Sequence, residues 1–257
     1  MCELFGLSGK KEVNIERELR EFFSHAPDNP NGWGMYLDSR NGPFFMKENQ
    51  RADRSDYLNR FLTQKIKAMN AVAHIRFATI GYDLMENTHP FTGKDISGRE
   101  WIVAHNGTIF EGEILTKYLH VQQGETDSER IFLYILDSIN TFIRRTHCAP
   151  GAAERFEILQ KIVADLSPCN KLNLLIFDSE VLYVHTNYKD SLYLRSRDGN
   201  TCFSTKPLAD GIWTNVPFAR LVSYKDGVRQ HVGKCHGNEY IPDPDSIEKL
   251  FLAYSGL

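Results

Sequence analysis

Cysteine follows the initiator methionine in this chain, which begins Met1-Cys2-Glu3-Leu4-Phe5. Methionine aminopeptidase removes an initiator methionine when the next side chain is small, so we expect the mature chain to begin with Cys2. That residue would then carry a thiol of intrinsic pKa about 8.5 and an α-amine of pKa about 8. The amine can act as the base for its own neighbouring thiol, which would then attack an acyl carbon. A buried structural cysteine is the alternative explanation.

Two polar segments each follow an apolar run of the kind found in strands. In HIRFAT, the run delivers Arg76 and Thr79 to the loop beyond it, and the rigid fork of an arginine suits bidentate capture of a carboxylate. In HNGT, Asn106 and Gly107 follow a second run. An Asn amide and a Gly N–H at such a turn can form an oxyanion hole for a tetrahedral acyl intermediate. A surface salt bridge and a simple Asn-Gly turn explain the same residues without chemistry.

A third polar segment, GETDSE, places acidic groups at a predicted helix start, where Asp127 can pair with a substrate ammonium. Thr126 and Glu129 have the spacing of a capping box, and apolar side chains recur at helical spacing as far as Ile143. A capping box with favourable helix-dipole charges is the alternative explanation for these residues.

Short apolar segments at both ends of the chain are typical of strands, and a helical block lies between them. The predicted strands cover residues 3–7, 33–37, 44–47, 71–77 and 101–105, then 172–177, 181–186, 192–195, 202–204, 219–224 and 228–232. Helices are expected over residues 152–166 and 246–254, and a short one carries Tyr57 and Phe61 as core side chains. No Pro-, Gly- or Ser-rich linker divides the chain, which predicts one α+β domain whose helices cover two packed sheets.

Composition narrows the classes of partner. Of the 257 residues, 42% are hydrophobic, and 30 basic against 33 acidic residues leave a net charge of −3. Because the chain has no basic run and no apolar stretch long enough to span a bilayer, we expect no nucleic-acid partner, no membrane association and a cytoplasmic location. Five scattered cysteines favour reduced thiols. The segment from His231 to His236 offers three potential ligands but no second cluster, so no metal or cofactor is expected.

Taken together and in chain order, these motifs resemble the class II glutamine amidotransferases, especially the stand-alone YafJ-like type. The resemblance rests on MCELFGL at the start, NGWG at residues 31–34, HIRFAT, the His89-Pro90 pair, HNGTI and GETDSE, and extends more weakly to STKPL at residues 204–208. It implies a four-layer αββα N-terminal-nucleophile hydrolase sandwich, with residues 2–257 as a single type-2 amidotransferase domain.

The resemblance also implies roles for individual residues and a reaction on the side-chain amide of glutamine. The implied site consists of Cys2 as the nucleophile with its α-amine as the base, Asn106 and Gly107 as the oxyanion hole, Arg76 for the substrate α-carboxylate with Thr79 in support, and Asp127 for the α-ammonium. The products would be ammonia and, through a γ-glutamyl thioester, glutamate.

Departures from the family pattern bear on the substrate. Phe77 follows Arg76 and Ile80 follows Thr79, where synthase members often carry Trp and His, and this favours the stand-alone branch. Since no acceptor domain is expected in the chain, ammonia would pass to an unidentified partner protein. Three alternatives remain open: hydrolysis of another γ-glutamyl compound, an acylase acting on a non-glutamyl group, and a glutamine-binding regulatory protein without turnover. Paired charges at Arg76 and Asp127 argue against the acylase.

Overall fold

Two antiparallel sheets face each other in the computed structural model, which describes residues 2–208 and 211–245. The strands of this part of the chain are β1 (Glu3–Asn14), β2 (Trp33–Ser39), β3 (Gly42–Glu48), β4 (Lys67–Ile75), β5 (Phe91–Lys94), β6 (Glu100–Thr108), β7 (Lys171–Phe177), β8 (Leu182–His185), β9 (Tyr193–Arg197), β10 (Asn200–Ser204), β11 (Thr214–Asn215), β12 (Val222–Lys225) and β13 (Val228–Val232). The α-helices are α1 (Glu16–Ser24), α2 (Asp56–Phe61), α3 (Asp127–Thr146) and α4 (Ala152–Leu166).

Strand order places the chain start and the HNGT segment in different sheets. The first sheet has the order β11-β9-β10-β1-β4-β2-β3, and the second has the order β13-β12-β8-β7-β6-β5. β1 lies between β10 and β4, whereas β6 lies between β7 and β5. β6 contacts both β1 and β4 across the space between the sheets.

Alternation of side chains along the strands produces three apolar layers. In β1, Leu4 packs between the sheets, while Phe5 and Leu7 pack on the outer side with α1. In β7, Leu174 packs against the outer helices α3 and α4, while Leu175 packs between the sheets. Such period-two alternation with apolar residues on both faces is what a sheet covered on both sides requires. The resulting order of layers confirms the predicted four-layer αββα architecture.

The start of α3 differs in detail from the predicted capping box. Thr126 is the N-cap, and its hydroxyl accepts a hydrogen bond from the Glu129 N–H at 3.2 Å. The Glu129 carboxylate reaches further back and accepts from the N–H groups of Gln123 and Gly124 at 2.7 and 2.8 Å. It therefore fixes the segment that leads into the helix and does not return to the N-cap.

Several sequence predictions need correction. Asn106 and Gly107 do not form a turn after a strand, because β6 continues to Thr108. Conversely β4 ends at Ile75, so Arg76 stands just beyond the strand. Tyr57 is 39% exposed and is not a core side chain, although it stacks on Phe61. The predicted helix over residues 246–254 lies outside the described residues.

No helix within the described ranges is long and apolar enough to cross a membrane.

Candidate active site

The Cys2 thiol lies at the start of β1, on the side that faces the second sheet. Its neighbour Glu3 pairs with Ile75 of β4, so Cys2 lies beside Arg76. The half-buried Sγ donates to the carbonyl of Phe77 at 3.1 Å and accepts from the Phe77 N–H at 3.2 Å. The backbone that follows β4 therefore fixes the thiol on both its donor and its acceptor side.

Burial raises the pKa of the Cys2 thiol, because the thiolate loses hydration. The hydrogen bond with the Phe77 backbone opposes this effect and lowers the pKa, as do the positive charges of Arg76 and Lys171. A thiolate at this position would therefore be stabilised by positive charges of the protein and only weakly by hydration.

Arg76 is 2% exposed and is bound by the loop that follows it. Nη2 donates to the carbonyls of Ile80 and Gly81 at 2.8 and 2.9 Å. Nη1 donates to the carbonyl of Tyr82 at 3.1 Å and forms an ion pair with Asp83 at 3.2 Å. In this conformation the guanidinium holds its own loop together, and a substrate carboxylate would have to replace one of these oxygens.

Asn31 and Glu125 hold the same loop from outside. The Asn31 side chain accepts from the Ala78 N–H at 2.8 Å and donates to Asp83 at 3.1 Å. Glu125 accepts from the Tyr82 N–H at 2.9 Å. Thr79 is half-buried in this loop, three residues beyond Arg76. The NGWG, HIRFAT and GETDSE motifs thus meet around one loop, although they are far apart in the sequence.

Asn106 and Gly107 lie near the end of β6, where Asn106 pairs with Asn173 of β7 and Gly107 pairs with Leu172. Asn106 continues the face of Ile102 and Ala104, which pack between the sheets, so its amide points to the side on which Cys2 lies. A Cβ at position 107 would overlap the carbonyl oxygen of Lys171. Glycine is therefore required here by the close approach of β7, and not by an unusual backbone angle.

Asp127 stands at the first position of α3 and is 4% exposed. Its Oδ2 accepts from the Ile109 N–H at 2.7 Å, which ties the helix start to the residue after β6. Its Oδ1 accepts from the Ser128 hydroxyl at 3.2 Å, and the same hydroxyl lies 2.9 Å from Nδ1 of His105. The Asp127 carboxylate therefore already stabilises the end of β6, which carries the HNGT segment.

Lys171 is a charged residue of the site that the sequence analysis missed. It begins β7 opposite Thr108 and is 4% exposed. Burial lowers the pKa of its ammonium to about 8, and the nearby Cys2 thiol acts in the opposite direction. The signal in the sequence is weak but present: Lys171 and Asn173 are polar at alternate positions of an otherwise apolar strand, which marks one end of its inner face as polar.

The histidines of the site region are neutral. His74 and His89 stack with ring centroids 4.1 Å apart, and burial lowers the pKa of both, that of His74 to about 3.

Elsewhere, His236 lies against His185 with 3.0 Å between their Nε2 atoms. His231 contacts Phe156 instead, so His231 and His236 have different neighbours. Within residues 2–208 and 211–245, no group of three or more His, Cys, Asp or Glu is arranged to hold a metal ion.

Relatives of known sequence resemble this chain over most of its length. An uncharacterized protein of Methanocaldococcus jannaschii is 33% identical over 254 residues, which cover 88% of this chain and 70% of the relative. The Escherichia coli protein YafJ, whose name assigns it to the glutamine amidotransferases, is 31% identical over 193 residues, which cover 73% of this chain and 74% of YafJ.

A solved structure has the same fold, and a family pattern matches most of the chain. Glutamine phosphoribosylpyrophosphate amidotransferase from B. subtilis, complexed with ADP and GMP, has the same fold, with a TM-score of 0.66 at 16% identity. The likeness covers 93% of this chain and 50% of that one. The pattern of the family "Glutamine amidotransferases class-II" matches residues 1–199, well over half of the chain. This protein therefore belongs to the class II glutamine amidotransferases.

Proposed function

We propose that the chain hydrolyses the side-chain amide of glutamine through a thioester on Cys2. The α-amine of Cys2, freed by removal of Met1, takes the thiol proton, and the sulfur attacks the δ-carbonyl carbon. The proton then passes to the departing nitrogen, the C–N bond breaks, and ammonia leaves a γ-glutamyl thioester. Water attacks the thioester, which releases glutamate and restores the thiol.

The half-buried Cys2 thiol is the observation that carries this proposal, because it lies beside Arg76 in a chain of the class II family. The Asn106 amide and the Gly107 N–H are the proposed oxyanion donors, since they belong to the strand that faces β1. Donors fixed in a strand need no reorganisation when charge develops on the carbonyl oxygen. Removing one such donor typically lowers kcat by about 10²–10³-fold, which is the effect we expect for Asn106→Ala.

Recognition of the amino-acid head is proposed for Arg76, Thr79 and Asp127. The ion pair between Arg76 and Asp83 supports this assignment, because the Asp83 side chain is 50% exposed and a substrate α-carboxylate would replace one carboxylate by another. The Oδ1 atom of Asp127 is proposed for the α-ammonium, while Oδ2 keeps its bond to Ile109. Holding both charges of the head orients the amide on the sulfur.

The ammonia released is proposed to pass either to water or to an acceptor protein that docks on the chain. Ammonia itself is the readout that separates the reaction from simple binding. A glutamine-binding regulatory protein would hold the substrate and release nothing.

The test is release of ammonia and glutamate from L-glutamine by protein whose free Cys2 terminus has been verified by intact mass. Cys2→Ala is the inactive variant, and Cys169→Ala is its matched control, because Cys169 is an exposed thiol. A γ-glutamyl anilide is assayed in parallel. A glutamine-mimicking diazoketone should add one mass equivalent at Cys2 and abolish turnover.

Turnover of glutamine that disappears in Cys2→Ala and persists in Cys169→Ala is the expected result. Turnover of the anilide alone would replace glutamine by another γ-glutamyl substrate. No turnover of either compound by protein with a verified Cys2 terminus would contradict the proposed hydrolysis.

A further inference from the structure

We propose that Asn87 is a positioning residue that couples the two groups assigned to the amino-acid head of the substrate, Arg76 and Asp127. This inference deepens the proposed function and rests on it, because it concerns recognition of the head. Asn87 acts on the substrate through the two chain segments that hold these groups.

The Asn87 side-chain amide is fully buried and uses both its donor and its acceptor side. Nδ2 donates to the Tyr82 carbonyl at 3.0 Å and to the Glu125 carboxylate at 3.1 Å. Oδ1 accepts from the Glu125 N–H at 2.7 Å. The Glu125 carboxylate also accepts from the Tyr82 N–H at 2.9 Å, so the three residues form a closed set of hydrogen bonds.

Each partner of Asn87 leads to one of the two head-binding groups. The Tyr82 carbonyl also accepts from Nη1 of Arg76 at 3.1 Å, so one oxygen joins Arg76 to Asn87. Glu125 stands two residues before Asp127, which begins α3. The amide therefore fixes the separation between the guanidinium and the carboxylate. Two charges held at the correct separation orient the substrate before it reacts.

Glycines in both segments leave room for the amide. A Cβ at Gly81, in the loop that follows Arg76, would lie 2.8 Å from Nδ2, and a Cβ at Gly124 would overlap Oδ1. The chain that carries Asn87 is fixed as well, because the ring of His89 stacks on that of His74 in β4. A rigid amide between two segments that approach it closely is suited to coupling their positions.

Two reagents that modify the same thiol separate recognition of the head from reactivity of Cys2. The glutamine-mimicking diazoketone carries both head charges, whereas iodoacetamide carries neither. The rate of each reaction is followed on the N-terminal peptide by mass spectrometry, in protein with a verified Cys2 terminus.

Asn87→Ala and Glu125→Ala break the coupling from its two sides. Asn70→Ala is the matched control, because the Asn70 amide donates to the Asp38 carboxylate at 2.9 Å in the first half of β4. Thermal melting checks that each variant is folded.

We expect Asn87→Ala and Glu125→Ala to slow the diazoketone reaction by about 10–100-fold, since each removes hydrogen bonds that involve a charged group. The iodoacetamide rate should not change, and Asn70→Ala should change neither rate. Because the negative charge of Glu125 acts on Arg76, its removal alone would favour the carboxylate of the reagent. A loss in Glu125→Ala therefore reports position and not charge. The two losses should not add in the double variant, because both substitutions break the same link.

A folded Asn87→Ala variant with the native diazoketone rate would overturn the inference. Equal slowing of both reagents would also overturn it, since a general distortion of the site has that effect. If Asn87→Ala does not fold, the half-buried Glu125→Ala answers the same question. A diazoketone reaction of the native protein that L-glutamine does not slow would count against the proposed function, and the inference would fall with it.

Discussion

His185 makes the stability of this fold depend on pH. The Asn238 N–H donates to Nδ1 of His236 at 3.1 Å, so in the neutral ring Nε2 of His236 carries the proton and donates to Nε2 of His185 at 3.0 Å. Nδ1 of His185 then donates to the Leu172 carbonyl at 2.6 Å. All four ring nitrogens of His185 and His236 therefore take part in hydrogen bonds, and this arrangement requires both imidazoles to be neutral.

The size of the effect follows from the pKa of His185 in the two states. Burial lowers this pKa from 6.5 to about 3, and His236 acts in the same direction. Above pH 6.5 neither state binds the proton, whereas between 6.5 and about 3 only the unfolded chain does, so stability falls as the pH falls. Because pH 5 is about 1.5 units below the unfolded-state pKa and each unit corresponds to about 1.36 kcal/mol, the free energy of unfolding at pH 5 is lower by about 2 kcal/mol.

Urea unfolding followed by tryptophan fluorescence at pH 7.5 and pH 5.0 measures this loss. Carboxylates and other histidines also contribute, so each variant is described by the change in its free energy of unfolding between pH 7.5 and pH 5.0. We expect this change to be smaller by about 2 kcal/mol in His185→Gln than in the native chain, and the same as native in the exposed control His120→Gln. A His185→Gln variant that loses as much stability as the native chain would refute the neutral burial of His185.

Three further substitutions test buried contacts of the fold. Gly107→Ala would press a methyl group on the Lys171 carbonyl, and we expect a loss of at least about 2 kcal/mol in the free energy of unfolding, or no soluble protein. Asp178→Asn would remove the buried carboxylate that contacts the Arg155 guanidinium at 2.6 Å and leave the partly exposed Glu180 as its remaining anion. We expect a loss of about 3–5 kcal/mol by urea denaturation. Glu180→Gln, at the partly exposed end of the same network, should cost less than about 1 kcal/mol.

Local patterns in the sequence predicted much of the fold. Short apolar segments marked β1, β6 and β7, and Thr126 marked the start of α3, because these signals depend on neighbours within a few positions. Three elements were missed because their local signals are weak. α1 has only nine residues and no side-chain cap, β5 is a four-residue edge strand that contains Gly93, and β11 has only two residues.

The contacts of the candidate site were less predictable, since they join residues that are far apart in the sequence. The need for glycine at position 107 comes from a carbonyl 64 positions away, and no local rule contains that contact. Lys171 could not be placed near Cys2 without the register between β6 and β7. The turn that follows Arg76 brings four oxygen atoms of residues 80–83 to its guanidinium, and no local pattern predicts these contacts. The residue types were predictable, and their partners were not.

Strand alternation also explains how an acidic residue can follow Cys2 without disfavouring its thiolate. Glu3 would raise the thiol pKa if its carboxylate faced the same space as Cys2. Successive side chains point to opposite faces, so Glu3 lies on the helix side, where Lys206 and His25 contact it at 2.5 and 2.7 Å. The cations Arg76 and Lys171 act on the thiol from the inner side. A one-residue shift in the register of β1 would exchange these environments, so the pairing of Glu3 with Ile75 fixes the electrostatics of the Cys2 thiol as well as its position.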